Sequence, residues 1–219
     1  NRAVWDFSAD PIEHELGDFV IASGGDKKID GYTVAPGDYT VRLTLGEAVS
    51  EQPLTVRFDP RQEYDPGYLA EQQRLVQSAY DMLDEFQKTL IGLRQVREQA
   101  KIKHAIFEDN GETDKAEAMQ AVIDAIDDWE DGNIATEREY FQDVLNWPDR
   151  LFTELQFLYG TLDGALPRVT EGMKQRHADL KGRFEDAMGA RDEVVEGVVG
   201  EANGLGEEVM VVPNFATAQ

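Results

Sequence analysis

The sequence predicts an α+β chain. A partial antiparallel β-sandwich, fibronectin-III- or immunoglobulin-like but incomplete, is expected over residues 1–61, and an antiparallel bundle of three to four long helices over residues 62–219. Three observations predict this. Tyr39, Val41, Leu43 and Leu45 alternate with Thr40, Arg42 and Thr44, the period of a strand with one buried face. Leu69, Val76, Leu83 and Leu90 recur every seven residues, the period of a helix seam. Asp59-Pro60 and Asp65-Pro66 stand between the two patterns, where a residue forced out of helical geometry by the following proline closes one element and opens another.

Five short strands are expected in the first part: Ala3–Phe7, Phe19–Ala22, Gly31–Val34, Tyr39–Leu45 and Leu54–Phe58. Turn clusters separate them, including Ser8-Ala9-Asp10-Pro11, Ser23-Gly24-Gly25-Asp26, Pro36-Gly37 and the bend Gly46-Glu47-Ala48. A full sandwich takes about 100 residues and seven strands. Sixty residues are too few, so the sheet is expected to lack its first strands, with its open edge covered by the helical part or a second chain. The chain opens on a strand-like segment without an initiating Met, which reads as a C-terminal piece of something larger.

In the second part, Asp65 is the expected N-cap and Pro66 the first helical residue. Ala79, Phe86, Leu93 and Ala100 form a second seam beside the heptad, with Gln72 standing where its first member would be. The helix should run about 35–40 residues, to Asp109-Asn110-Gly111. Thr113 or Asp114 should start the next, with Glu117 completing a capping box and Met119, Val122, Ile126 and Trp129 as its stripe. Gly132-Asn133 should kink or break it before Tyr140, Phe141, Val144 and Leu145. Trp147-Pro148 opens a shorter helix with Leu151, Leu155, Leu158 and Leu162 inward, and a turn over residues 164–167 follows. The last helix, about Thr170 to Asn203, places Met173, Leu180, Phe184, Ala187, Val194 and Val198 on one seam. Its glycines at 172, 182, 189, 197 and 200 are expected to permit close helix approach. Residues 209–213 read as a short extended tail packing back on the bundle.

Composition excludes several functions. The formal net charge is −23, from 44 acidic against 21 basic residues, which excludes nucleic acid and anionic membrane as partners because phosphate binding needs a basic footprint. No apolar run is long enough to span a membrane. The acid excess, with lysine scarcer than arginine, fits either a protein of high-salt surroundings or an ordinary acidic secreted one. With no cysteine there is no disulfide, thiolate metal site or cysteine nucleophile.

No catalytic constellation is legible. The carboxylate run Asp124, Asp127, Asp128, Glu130, Asp131 fails as a calcium loop: a start at Asp127 puts Trp129 third and Arg138 twelfth, where a bidentate Glu belongs. A solvated helix face is the expectation. His14, His104 and His177 lack metal-ligand spacing, and His177 is expected as a hydrogen-bonded core histidine. The glycine runs at 24–25 and 197–206 lack phosphate-loop spacing. The aromatics Tyr64, Tyr68, Tyr80, Trp129, Tyr140, Phe141, Trp147 and Tyr159 are expected mainly in the core, and would offer a partner or sugar platform where exposed. Neither catalytic, cofactor-binding nor metal residues are assigned, and no cofactor is expected.

The segments Pro36-Gly37, Tyr39–Leu43, Gln52–Val56 and Asp59-Pro60-Arg61, preceded by Val4-Trp5-Asp6-Phe7, also carry a resemblance. Together with Leu155–Gly160 and Glu201-Ala202-Asn203, they are similar to the C-terminal region of bacterial VPS10/sortilin-like BNR (Asp-box) repeat proteins, often labelled glycosyl hydrolases. The resemblance implies a secreted or periplasmic parent whose propeller lies upstream. No Ser-x-Asp-x-Gly-x-Thr-Trp box occurs here. The expected role is a non-catalytic structural or interaction module, its partners the upstream propeller domain of the same chain and a homo-oligomer formed through the helices. An accessory or carbohydrate-binding part of a glycoside hydrolase is the alternative.

Overall fold

In a computed structural model of the chain, the described residues are 2–12, 29–61, 63, 65–135, 149–164, 168–205, 210–213 and 215. They form a mixed structure, a two-stranded antiparallel sheet followed by helices. Strands β1 (Gly37–Leu45) and β2 (Ala48–Val56) pair from Gly37↔Val56 at one end to Leu45↔Ala48 at the other. Gly46 has φ +59°, the left-handed conformation that lets a glycine at the first central position close a two-residue hairpin turn. The return strand therefore begins at Ala48, six residues before the expected Leu54. Pro53 is tolerated because, among the described residues, the sheet has two strands and no third strand draws on the outer edge of either.

Two of the other expected strands do not form. Among the described residues Ala3–Phe7 joins no ladder or bridge, and Gly31–Val34 contributes only Thr33, to the isolated bridge Ser8↔Thr33; the other bridge, Ile12↔Ile29, lies outside both. The cause is local: Ser8 N–H donates to Asp6 Oδ1, Trp5 Nε1 donates to Ser8 O, and Phe7 takes φ +67°, which ends any extended run. Phe19–Ala22 lies outside the described residues. The expected burial of one hairpin face is also overturned. Tyr39 is half-buried, but Val41, Leu43 and Leu45 are exposed, the last two at 69% and 81%. Among the described elements the hairpin packs with itself.

The helical part is built on α1 (Pro66–Asn110), 45 residues in one piece. Asp65 caps it by accepting from Gly67 N–H at 2.7 Å, Pro66 supplies the first turn, and Gly111 at φ +73° ends it. Both expected seams are buried from Val76 to Ala100. Gln72 is buried too, and satisfied: its Nε2 donates to Leu162 O at 2.7 Å and Gly164 O at 3.0 Å.

Two shorter helices run antiparallel to α1, one beyond the other. α2 (Thr113–Asn133) covers the C-terminal half of α1, where Glu130 pairs with Arg94 and Arg97. α3 (Leu151–Leu162) covers the N-terminal half. Phe86 sits between them, its ring 5.4 Å from Trp129 of α2 and 5.2 Å from Phe152 of α3. The expected stripes of both helices are buried. The expected capping box of α2 is not made. Its N-cap is Glu112, whose carboxylate is engaged by Lys115 Nζ at 2.5 Å and caps no backbone N–H. Trp147-Pro148 and the aromatic run at 140–141 lie outside the described residues.

The last rod runs parallel to α1: Lys174 pairs with Glu71, and Thr89 Oγ1 lies 3.6 Å from Met188 Sδ. It comprises α4 (Glu171–Glu193, capped by Thr170), π-helical turns over Val194–Val199 and α5 (Gly200–Gly204). The wider turns insert a residue and rotate the seam, so Val199 is fully buried while the expected Val194 and Val198 are half-buried. The expected reason for the glycines fails: an added Cβ at Gly182, Gly189 or Gly197 would meet nothing within 4 Å. Close approach occurs instead at Gly92 of α1, where an added Cβ would lie 2.2 Å from Phe215.

Gln87 is fully buried on α1, and neither atom of its side-chain amide has a hydrogen-bond partner. A buried, unmade amide costs about 1–3 kcal/mol. Gln87→Met keeps the chain length and removes the polar atoms, so it should raise the unfolding free energy by about that amount. Chemical denaturation measures it, and a destabilised variant would contradict the assignment.

Candidate functional site

The described residues offer four places where chemistry or contact could concentrate. The first is the joint between the N-terminal segments and the helices. Ile12 and Ile29, bridged through Ile12 N–H to Ile29 O at 2.9 Å, are buried in the same core as the helices. Three side chains fasten backbone to this joint: Tyr80 OH donates to Asp10 O (2.8 Å), Tyr159 OH to Asp30 O (2.7 Å) and Gln73 Nε2 to Thr33 O (3.1 Å). Asp163 accepts from Thr33 N–H at 2.8 Å. Burial pushes the Asp163 carboxyl up, opposed by the Thr33 hydrogen bonds. Burial and then the Asp163 charge push the Tyr159 hydroxyl well up. Each of the two tyrosine hydroxyls is spent on a backbone carbonyl, so the cluster acts as a fastening.

The second is the carboxylate run on α2, and here the solvated-face expectation holds only in part. Asp124, Asp128 and Asp131 are exposed. Glu130 is buried and accepts from Arg94 Nε at 3.0 Å and Arg97 Nη1 at 2.9 Å, while Asp127 takes the other contact of Arg97. The pattern that reads as surface charge contains a buried clamp between α1 and α2. Arginine's fork allows Arg97 to bridge two acids at once. Among the described residues no three His, Asp or Glu side chains gather as a metal site.

The third is an open crevice of about 380 Å³ at the α1–α2 turn, lined by His104, Glu108, Gly111, Thr113 and Glu117. His104 Nδ1 lies 3.7 Å from Glu108 Oε2. His14 falls outside the described residues. His177 faces inward on α4, buried, with Nε2 3.0 Å from Ser78 Oγ on α1.

The fourth is apolar. Trp5, Phe7 and Tyr39 form a ring cluster, with centroids 5.3 Å apart for Trp5–Phe7 and 5.5 Å for Trp5–Tyr39, which continues onto exposed Val41, Leu43 and Leu45. The sequence places the aromatic candidates elsewhere, and of the four among the described residues Trp129 and Tyr159 are buried, Tyr80 half-buried and Tyr68 exposed. Tyr64 is outside the described residues. The signal for this cluster is Val4-Trp5-Asp6-Phe7 itself, which alternates like a strand of the expected incomplete sandwich. Comparison of the chain with protein-family models, with curated proteins and with solved structures finds no match.

The His177 environment gives a pH dependence with a definite sign. Burial, then the charges of Arg74 and Lys181, hold its pKa below the usual value. The neutral ring suits the fold, so this contribution is complete above the unfolded pKa of about 6.5 and is lost as pH falls toward the lower folded value. Unfolding free energy should therefore decline between pH 7 and pH 5, and His177→Gln should remove that part of the slope. A slope unchanged in the variant would assign the decline to carboxylates.

Proposed function

We propose that this chain is a non-catalytic structural and interaction module, and that the β-hairpin is the element through which it joins its neighbour. On the resemblance given by the hairpin segments and Val4-Trp5-Asp6-Phe7, the neighbour is the upstream propeller of a larger secreted or periplasmic BNR/sortilin-like protein. In this reading the hairpin belongs to an incomplete sandwich completed by strands from that neighbour, and the helices brace it as a bundle.

The observation that carries the proposal is the apolar hairpin face. A two-stranded hairpin is marginal by itself in water, and a sheet face with several aliphatic side chains is stable when something covers it. Tyr39, Val41, Leu43, Leu45, Leu54 and Val56 share this face by the strand register, while the other face carries the Arg42–Glu51 ion pair and the Thr55–Asp38 hydrogen bond. Among the described residues no strand pairs with either outer edge. Self-association along the α1 seams has no such support, since those side chains are filled from within the chain.

One specific observation favours the second reading, an accessory sugar-binding surface: Trp5 and Phe7 are adjacent and both exposed, at 40% and 49%. A glycan titration that shifts Trp5 emission, and fails to do so after Phe7→Ala, would move the assignment there.

The proposal makes two checkable statements. Leu43→Lys combined with Leu45→Lys should change stability by no more than about 0.5 kcal/mol, as exposed positions do, while abolishing binding of a hydrophobic dye. A loss of several kcal/mol would mean that the hairpin covers this chain's own core. The coding DNA upstream of the Asn1 codon should encode Asp-box repeats behind a secretory signal. A start codon within a few residues would overturn the family part of the proposal.

A further inference from the structure

The tail beyond α5 lies in a groove whose chemistry is that of a peptide-binding site. Met210 is buried at 1% exposure. Asn203 of α5 clamps its backbone from both sides: Asn203 Nδ2 donates to Met210 O at 3.3 Å, and Met210 N–H donates to Asn203 Oδ1 at 2.7 Å. Gln99 of α1 does the same for the next residue. Its Nε2 donates to Val211 O at 3.1 Å and its Oε1 accepts from Val211 N–H at 2.9 Å. Two side-chain amides, one on α5 and one on α1, thus satisfy the N–H and C=O of two successive residues. That arrangement reads an extended backbone without reading its sequence.

Selectivity comes from what the groove does with side chains. Met210 is swallowed, while Val211 points out at 72% exposure. Phe215 lies directly over Gly92, where any Cβ on α1 would collide with its ring, and the Arg191 guanidinium sits over the ring, 5.4 Å from its centroid. The floor is therefore a glycine gap sized for an aromatic ring. The far wall is the rod that carries the π-helical turns Val194–Val199, a distortion that often accompanies binding sites.

We infer that the groove between α1 and the α4–α5 rod is a binding site for an extended peptide, with an apolar residue at one position and an aromatic residue five positions later. Residues 210–213 and Phe215 are its occupant in cis, and an external segment of the same chemistry takes their place when they leave. The exchange costs no unpaired backbone, because Gln99 and Asn203 offer any incoming peptide the bonds they give the tail.

The test uses the full chain with Met210→Ser and Phe215→Ser, which weakens the resident tail, and a fluorescein-labelled synthetic peptide with the sequence of residues 206–219. Anisotropy should show binding at least about tenfold tighter than to the unsubstituted chain, and Gly92→Leu added to the weakened chain should abolish it. A weakened chain with an unchanged helical circular dichroism spectrum that binds no peptide overturns the inference. Should that chain unfold, hydrogen exchange on the unsubstituted chain decides. The Met210 and Val211 amides should exchange through local opening at least about a hundredfold faster than the Leu90 amide, and faster still in Gln99→Ala. Exchange as slow as at Leu90 would mean the groove never vacates, which also overturns the inference.

Discussion

The structure depends on one constraint: α1 carries an apolar seam longer than either helix that runs antiparallel to it. Forty-five residues span about 68 Å at 1.5 Å per residue. The 21 residues of α2 and the 12 of α3 each cover part of that length. They therefore lie one beyond the other along α1, and the place where their coverage meets must be filled by something large. Phe86 fills it, fully buried between Trp129 and Phe152. Truncating a buried aromatic costs roughly 3–5 kcal/mol in general, and here it would also uncouple α2 from α3, which share no other described aromatic contact. The parallel rod of α4 and α5 then closes the remaining side, with Trp129 Nε1 donating to Ala187 O at 2.8 Å to tie all three together.

Fastening follows a different logic at the N-terminal side. There the helices hold backbone: tyrosine hydroxyls and a glutamine amide donate to the carbonyls of residues 10, 30 and 33. Bonds of this kind satisfy polar groups that extended segments without sheet partners would otherwise leave unmade. Among the described residues the last of these carbonyls in the chain is that of Thr33, and the hairpin begins at Gly37. So Ile12 and Ile29 belong to the helical core although they precede the hairpin in the chain, while the hairpin, held by its own ladder, leaves Val41, Leu43 and Leu45 exposed.

This division explains what the sequence disclosed. Periodicity was informative wherever one chain segment supplied both sides of an interaction. The heptad positions from Val76 to Leu90, the Asp65-Pro66 start and the Gly111 stop all stand where spacing and local backbone chemistry put them. It misled where the partner was remote or the geometry irregular. Alternation in Ala3–Phe7 has the form of a strand, but Asp6 and Phe7 bend the backbone before any ladder can form. Glu130 is written like its acidic neighbours and is distinguished only by Arg94 and Arg97, more than thirty residues away. The π-helical turns shift the seam by one residue, which no fixed period can anticipate. Gly92 could not have been singled out, because its meaning resides in Phe215, over a hundred residues later.

Charge decides where such a molecule can touch another. Many of its arginines are spent internally: Arg94 and Arg97 on α2, Arg176 and Arg183 on Glu154 of α3, Arg191 on Glu85. A chain at −23 that uses its cations as internal clamps leaves its acids outside, so most of its helical surface repels other acidic surfaces. The hairpin and the tail groove escape this. On the hairpin, Arg42 is neutralised by Glu51 on the face opposite the aliphatic side chains. In the groove, contact is made by two neutral amides, a glycine gap and one arginine lying over a ring. Association at either place brings together apolar surface and backbone hydrogen bonds without first discharging the acidic surface. In the two proposed interactions, electrostatics and shape therefore act in the same direction.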